Sequence, residues 1–170
     1  MTDIAREFIR TWLRDAHAME EQAEQLFTGY AKRMMGYPEV HKKLLLEASY
    51  AKDHQEMLSI RLQQLGSSSS IIKDECAKLL AGIQNFFGSS MNDESVKSIL
   101  ALHTFTQMSI GSYQILIAAV LKVDDTETFR VCKAILTQVQ VRALWIEDQL
   151  SAVTQTLISE ISQAPQGDLN

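Results

Sequence analysis

Apolar residues recur every three or four positions through four long segments of the sequence, and this spacing constrains the fold more than any other feature. An α-helix turns once every 3.6 residues or so, so this spacing places the apolar side chains on one face. In the first segment, residues 3–35, the stripe comprises Ile4, Phe8, Trp12, Ala16, Met19, Ala23, Phe27, Tyr30 and Met34. Periodicity sustained over such lengths predicts an all-α protein.

Breaker and capping residues mark where these helices end and begin. Gly36 is predicted to end the first helix in a left-handed conformation, and Pro38 suits the first turn of the second. The third helix is predicted to begin near residues 92–93 and to continue to about residue 122. Asp124, with Glu127 three residues later, resembles a capping box and is predicted to cap the fourth helix.

The second and third helices are separated by a long connection, in contrast to the tight turns elsewhere. Residues 71–87 within it are weakly amphipathic and predict an extra short helix across the bundle. Two hairpins joined by one long crossover form the arrangement of a ferritin-like four-helix bundle. We predict one such domain over residues 1–163, and a frayed tail over residues 164–170, where Pro and Gly occur without periodicity.

Charge and hydropathy narrow the classes of function. The formal net charge of −5 is unfavourable for nucleic-acid binding, which needs a basic face, and would suit a basic protein partner. The longest apolar run, residues 115–121, is far shorter than the roughly 20 residues that cross a bilayer. The charged N-terminal residues do not resemble a secretory signal. We therefore expect a cytoplasmic protein with no nucleic-acid or membrane partner.

The chemistry that such a bundle commonly holds is a carboxylate-bridged metal pair. That centre takes a Glu from each of two helices and a Glu-x-x-His pair from each of the other two. The first helix offers Glu20 and the second offers His54, but Ala51 stands three residues before His54. The third and fourth helices carry no Asp or Glu over residues 95–123 and 128–146. The sequence therefore predicts that no di-metal centre forms.

Two interpretations apply to the remaining inward polar residues. Glu20, His54 and His103 could together hold a single Zn or Cu ion, or they could be buried residues hydrogen-bonded to one another. His17 and His41 are expected at the surface or its boundary. The sequence contains no Ser-His-Asp set, phosphate-binding loop or dinucleotide fingerprint. We expect no catalytic residue, no cofactor and no bound metal.

Short motifs follow one another in a fixed order between about residues 5 and 158. They are WLRDAHAMEEQAEQ at 12–25, YPE at 37–39, RLQQLG at 61–66, IGSY at 110–113, LIAA at 116–119, DTET at 125–128 and VC at 131–132, with Trp145. In this order they resemble the YciE/YciF family of ferritin-like bacterial stress proteins. The resemblance implies a ferritin-like bundle, a homodimer and a di-iron, ferroxidase-like activity.

The same resemblance implies where metal ligands would lie, and most are replaced. Glu20 matches the glutamate of the first helix. The other matching positions hold Tyr50 and His54 in the second helix; Thr106, Gln107 and Ser109 in the third; and Gln138, Val139, Gln140 and Ala143 or Leu144 in the fourth. Burying carboxylates without a metal costs on the order of several kcal/mol each, so neutral replacements suit a bundle without one.

The sequence thus predicts a protein that is not an enzyme, a ferritin-like bundle whose metal site has degenerated. Its action would be protein binding or assembly in a bacterial stress or conflict setting, as a homodimer or by blocking a cognate partner. The alternative is a di-iron oxidase-like stress protein, as the family resemblance alone implies.

Overall fold

The computed structural model describes residues 3–68 and 93–163, and within these ranges the chain forms four long helices. They are α1 (Asp3–Arg33), α2 (Pro38–Gln64), α3 (Glu94–Lys122) and α4 (Thr126–Gln163). These two ranges contain no strand, which confirms the all-α prediction for them. The predicted short helix at 71–87 and the predicted frayed tail at 164–170 lie outside the described residues.

Contacts between the helices establish their directions. α1 and α2 form one packed hairpin, and α3 and α4 form another. Arg33, the last residue of α1, lies 3.4 Å from Glu94, the first residue of α3. Arg61, near the end of α2, lies 2.7 Å from Asp125, just before α4. α1 is therefore antiparallel to α3 and α2 to α4, so α2 and α3 run parallel, as one long connection between two hairpins requires.

The core is built from the inward faces of all four helices, but α1 enters it later than predicted. Ile4 and Phe8 are exposed by 69% and 56%, whereas Ile9 and Leu13 are buried. The predicted stripe begins with steps of four residues, and each such step advances about 40° beyond a full turn. Ile4 and Phe8 therefore lie on a different side of α1 from the buried side chain of Leu13.

Two helix ends also differ from the prediction. Gly36 does not adopt the left-handed conformation. Among residues 3–68 and 93–163, the one glycine with a positive φ is Gly66, at 68°, and it follows α2. Asp124 does not cap α4, since it adopts a positive φ of 54°. The cap is Asp125, whose Oδ1 accepts a hydrogen bond of 3.0 Å from the amide of Thr128. The helix therefore begins one residue later than the capping box indicates.

α3 has the length and composition of a membrane-spanning helix, the one such helix in the part of the chain that the structure describes. The core helix of a soluble bundle can have the same length and composition. Ten residues of α3 are buried, and they lie on the face packed against the other helices. The expectation of no membrane partner stays a prediction.

Candidate functional site

Three polar side chains, from α1, α2 and α3, meet in the interior of the bundle, and Gln138, an exposed residue of α4, contacts them from the side. Tyr113 of α3 donates its hydroxyl to Glu20 Oε1 of α1 at 2.8 Å. The second oxygen, Glu20 Oε2, lies 3.1 Å from Nδ1 of His54 on α2. The other ring nitrogen, His54 Nε2, lies 2.5 Å from Oε1 of Gln138 on α4. Both carboxylate oxygens and both imidazole nitrogens therefore have partners within the network.

Helix periodicity explains why Glu20, His54 and Tyr113 point inward. His54 follows Ala51 by three residues and precedes Leu58 by four, and both of those neighbours are completely buried. Glu20 and His54 are each 1% exposed, and Tyr113 is completely buried. Burial, the charge of Glu20 and their hydrogen bond together raise the pKa of Tyr113 well above its ordinary value of 10.0. Tyr113 therefore stays a hydrogen-bond donor throughout the neutral range.

A second buried polar layer lies seven residues before His54 on α2, about 10 Å along the bundle. Arg142 Nε of α4 donates to Glu47 Oε2 of α2 at 2.8 Å, and Lys43 Nζ donates to Glu47 Oε1 at 2.6 Å. The Arg142 guanidinium lies over the ring of Phe27 on α1, 4.6 Å from its centroid. Arg142 is 1% exposed and is the largest completely buried side chain among the described residues.

The pair formed by Glu47 and Arg142 was missed by the sequence analysis, although the sequence carries a signal for it. Arg142 stands three residues after Val139 and four before Ile146, so it lies on the apolar stripe of α4. Glu47 likewise stands three residues after Leu44 on α2. One charged residue on each of two apolar stripes indicates a buried ion pair.

A family profile described as Domain of unknown function (DUF892) matches residues 5–159. The chain belongs to this family. A solved structure of a protein from Xanthomonas campestris pv. campestris has a TM-score of 0.81 and 25% sequence identity to it, covering 93% of this chain and 99% of that chain.

Two bacterioferritin structures share the fold of this DUF892 protein. The Rhodobacter capsulatus bacterioferritin, described with a metal-free dinuclear site and a haem iron, is 12% identical with a TM-score of 0.73, covering 95% of this chain and 96% of its own. The Desulfovibrio desulfuricans bacterioferritin, described with a diiron site in different catalytic states, is 17% identical with a TM-score of 0.73, covering 98% of this chain and 93% of its own. These likenesses confirm the predicted ferritin-like bundle.

The three residues proposed for a single metal ion do not form one group in the DUF892 protein. Glu20 and His54 are in contact, as the hydrogen-bonding interpretation expects. His103 lies ten residues before Tyr113 on α3, about 15 Å along the helix. Across residues 3–68 and 93–163, no three His, Cys, Asp or Glu side chains lie close enough to share a metal ion.

The other positions that the family resemblance highlights divide between buried packing residues and exposed ones, and Gln107, Gln138 and Leu144 are among the exposed. Ser109 is buried and donates its hydroxyl to the carbonyl one turn earlier at 2.9 Å. Val139 and Ala143 are buried and continue the stripe of α4, as predicted. Gln140 is exposed, and Tyr50 is half-buried beneath a lysine ammonium that lies 5.9 Å from its ring centroid. Of the predicted replacements, Gln138 alone hydrogen-bonds to His54 in the described part of the chain.

The two remaining histidines have different environments. His17, expected at the surface or its boundary, is buried with 7% exposure and lies 3.8 Å from Glu21. The expectation fails because α1 packs against both α2 and α3, which buries residues 16–20 in succession. His41 is half-buried, and its Nδ1 lies 2.8 Å from the carbonyl oxygen of Ala31, so its boundary position is confirmed.

The donor set of the central network does not fit a dinuclear metal centre. It offers one carboxylate, Glu20, and one imidazole, His54, beside a phenol and a neutral amide. Ala51 occupies the position at which a Glu-x-x-His pair needs its carboxylate. One carboxylate leaves most of the charge of two metal ions unbalanced, and the buried guanidinium of Arg142 adds a further positive charge to the same interior.

Proposed function

We propose that this ferritin-like DUF892 protein has no metal-dependent oxidase activity and acts by binding protein, either a second copy of itself or a cognate partner. The hydrogen bonds of the central network carry this proposal. Both oxygens of Glu20 are engaged by Tyr113 and His54, and the second nitrogen of His54 is engaged by Gln138. The atoms that would coordinate a metal are therefore engaged in hydrogen bonds with one another.

Surface chemistry supports the protein-binding part of the proposal. A groove between α1 and α3 is lined by Trp12, Met19 and Leu116 and by Ile115, which is 60% exposed. Phe8, one turn from Trp12, adds a ring that is 56% exposed. Contiguous apolar surface rimmed by polar residues is typical of protein-contact sites. The net charge of −5 favours a basic partner over an acidic one.

Self-association is the simplest form of this activity, and we expect a homodimer. Light scattering on the purified protein at micromolar concentration should give the mass of two chains. The mass of a single chain would contradict self-association. A pull-down from the native host, with the basic proteins identified by mass spectrometry, would then test for a cognate partner.

The setting and location belong to the same proposal. The motif resemblance to YciE/YciF proteins supports a role in bacterial stress or conflict and a cytoplasmic location. Growth of a deletion strain under oxidative, osmotic and toxin challenge would test this role. A strain that grows like its parent under each challenge would contradict it.

Metal analysis tests the central claim directly. The protein, purified after iron supplementation, should contain far less than one iron per chain. The comparison variant is Ala51→Glu/Gln138→Glu, which introduces a Glu-x-x-His pair on α2 and a carboxylate on α4. This variant should bind more iron than the parent chain, because it adds negative charge and suitable ligands. Two irons per parent chain would overturn the proposal.

The second candidate function is a di-iron oxidase. The contact between Glu20 and His54 favours it, since these are two ligand types of such a centre and they already lie together. Oxygen consumption on addition of ferrous iron would separate the two functions. Catalytic turnover by the parent chain would establish the oxidase, whereas a rate equal to that of iron in buffer would favour the protein-binding function.

A further inference from the structure

Arg142 has hydrogen-bond donors that its ion pair with Glu47 does not use. A guanidinium carries five N–H groups, and only the one on Nε donates to Glu47. Nη1 and Nη2 are buried and have no hydrogen-bond partner among the described residues. Since Arg142 is 1% exposed, bulk water does not reach these groups either. Buried donors without acceptors are strongly unfavourable, so these groups indicate a bound acceptor.

Thr106 of α3 lies at the level of this guanidinium. Thr106 stands seven residues before Tyr113. The matching position on antiparallel α1, seven residues after Glu20, is Phe27, whose ring Arg142 contacts. Thr106 and Arg142 are also equally distant, by eighteen residues, from the middle of the turn between α3 and α4. Two independent registers therefore place Thr106 and Arg142 in one layer.

Thr106 and its neighbour on the same face of α3 also have unused polar atoms. Thr106 is completely buried, and its hydroxyl has no hydrogen-bond partner in the described ranges. His103, three residues earlier, has a buried Nδ1 that likewise lacks one there. Thr106 on α3 and Arg142 on α4 thus bring unsatisfied polar atoms to one layer of the bundle.

The charges of this layer favour an anion over a water molecule. Lys43 and Arg142 both pair with Glu47, so two cations share one carboxylate. Phe27 covers one face of the guanidinium, which leaves its in-plane N–H groups as the donors available to a ligand. A guanidinium with positive charge in excess and free in-plane donors binds anions well.

We propose that this layer is a binding site for a small inorganic monoanion of about the size of a halide. Arg142 Nη1 and Nη2 donate to the anion from α4, and the Thr106 hydroxyl donates from α3. The negative charge of the anion balances the second cation of the layer. Metal-containing bundles hold cations with carboxylates, and this bundle holds an anion with a guanidinium. The site is separate from the central network and does not depend on the proposed function.

Thermal unfolding in bromide or chloride tests this site, with gluconate replacing the halide at constant ionic strength. For the parent chain we expect the unfolding midpoint temperature to rise with halide concentration in the way that binding at one site predicts. Thr106→Val removes one donor without a large change in shape, and should weaken the apparent halide affinity by about tenfold or more. Thr104→Val, at an exposed position on the same helix, should leave it unchanged.

A halide response of the same size in the parent chain and in both Thr variants would show a general salt effect and would overturn the proposal. Crystals of the parent chain grown in bromide give a second readout that needs no variant. An anomalous bromide peak within hydrogen-bond distance of Arg142 Nη1 and Nη2 would support the site, and water or no density there would overturn it.

Discussion

At the scale of single residues, Tyr113 and Glu20 join α3 to α1 through one buried hydrogen bond. Tyr113→Phe keeps the ring but leaves one oxygen of Glu20 without its donor. We expect the free energy of unfolding in urea to fall by about 1.5–3 kcal/mol, the range for hydrogen bonds to charged groups. Tyr30→Phe is the matched control, since it keeps the ring beneath Arg33 and should change stability by less than about 0.5 kcal/mol. Equal losses in both variants would contradict a special role for Tyr113.

The same hydroxyl predicts a dependence of stability on alkaline pH. The folded-state pKa of Tyr113 is raised above its ordinary value of 10.0, chiefly by burial and then by Glu20. Its contribution to stability is therefore complete below pH 10 and is lost as the pH rises beyond it. Urea unfolding at pH 9 and pH 11 should show a larger loss for the parent chain than for Tyr113→Phe. Parallel losses would exclude Tyr113 as the group responsible.

At the scale of elements, the two neighbouring aspartates at the start of α4 have different roles. Asp125 caps the helix and binds Arg61, so Asp125→Ala should destabilise the protein by about 1–2 kcal/mol. Asp124 occupies a left-handed conformation that glycine adopts more readily, so Asp124→Gly should have an effect between zero and a gain of about 1 kcal/mol. Thermal unfolding of both variants measures the difference. A larger loss of stability in Asp124→Gly than in Asp125→Ala would indicate that Asp124 caps the helix.

At the scale of the whole molecule, Glu47 and Arg142 connect α2 to α4 across 95 residues of sequence. Arg142→Met leaves the buried carboxylate of Glu47 without its partner from α4, and should cost about 3–5 kcal/mol. The Glu47→Met/Arg142→Met double variant should recover most of that loss, because it leaves no isolated charge in this pair. Urea unfolding of Glu47→Met, Arg142→Met and the double variant in halide-free buffer gives the coupling energy. Strictly additive losses would show that the pair is not coupled.

The sequence by itself determined the four helices of the described ranges, because helix periodicity is a property of neighbouring residues. It also determined that α3 and α4 offer no carboxylate over residues 95–123 and 128–146, so the usual ligand set of a dinuclear centre is incomplete there. Glu20 and His54 were identified for the same local reason, since each stands beside an apolar stripe. The exact cap of α4 was missed because two adjacent aspartates offer nearly equivalent capping groups.

Only the tertiary structure decided which polar residues meet. Tyr113 and Glu20 are 93 residues apart, and their hydrogen bond depends on the register of α3 against α1. The same register separates His103 from Glu20, and the packing of α1 against two helices buries His17. Register and rotation follow from the joint packing of all four helices, which no single periodic pattern encodes. The interior of this bundle therefore contains a hydrogen-bonded layer and a guanidinium layer, which the apolar stripes alone do not distinguish.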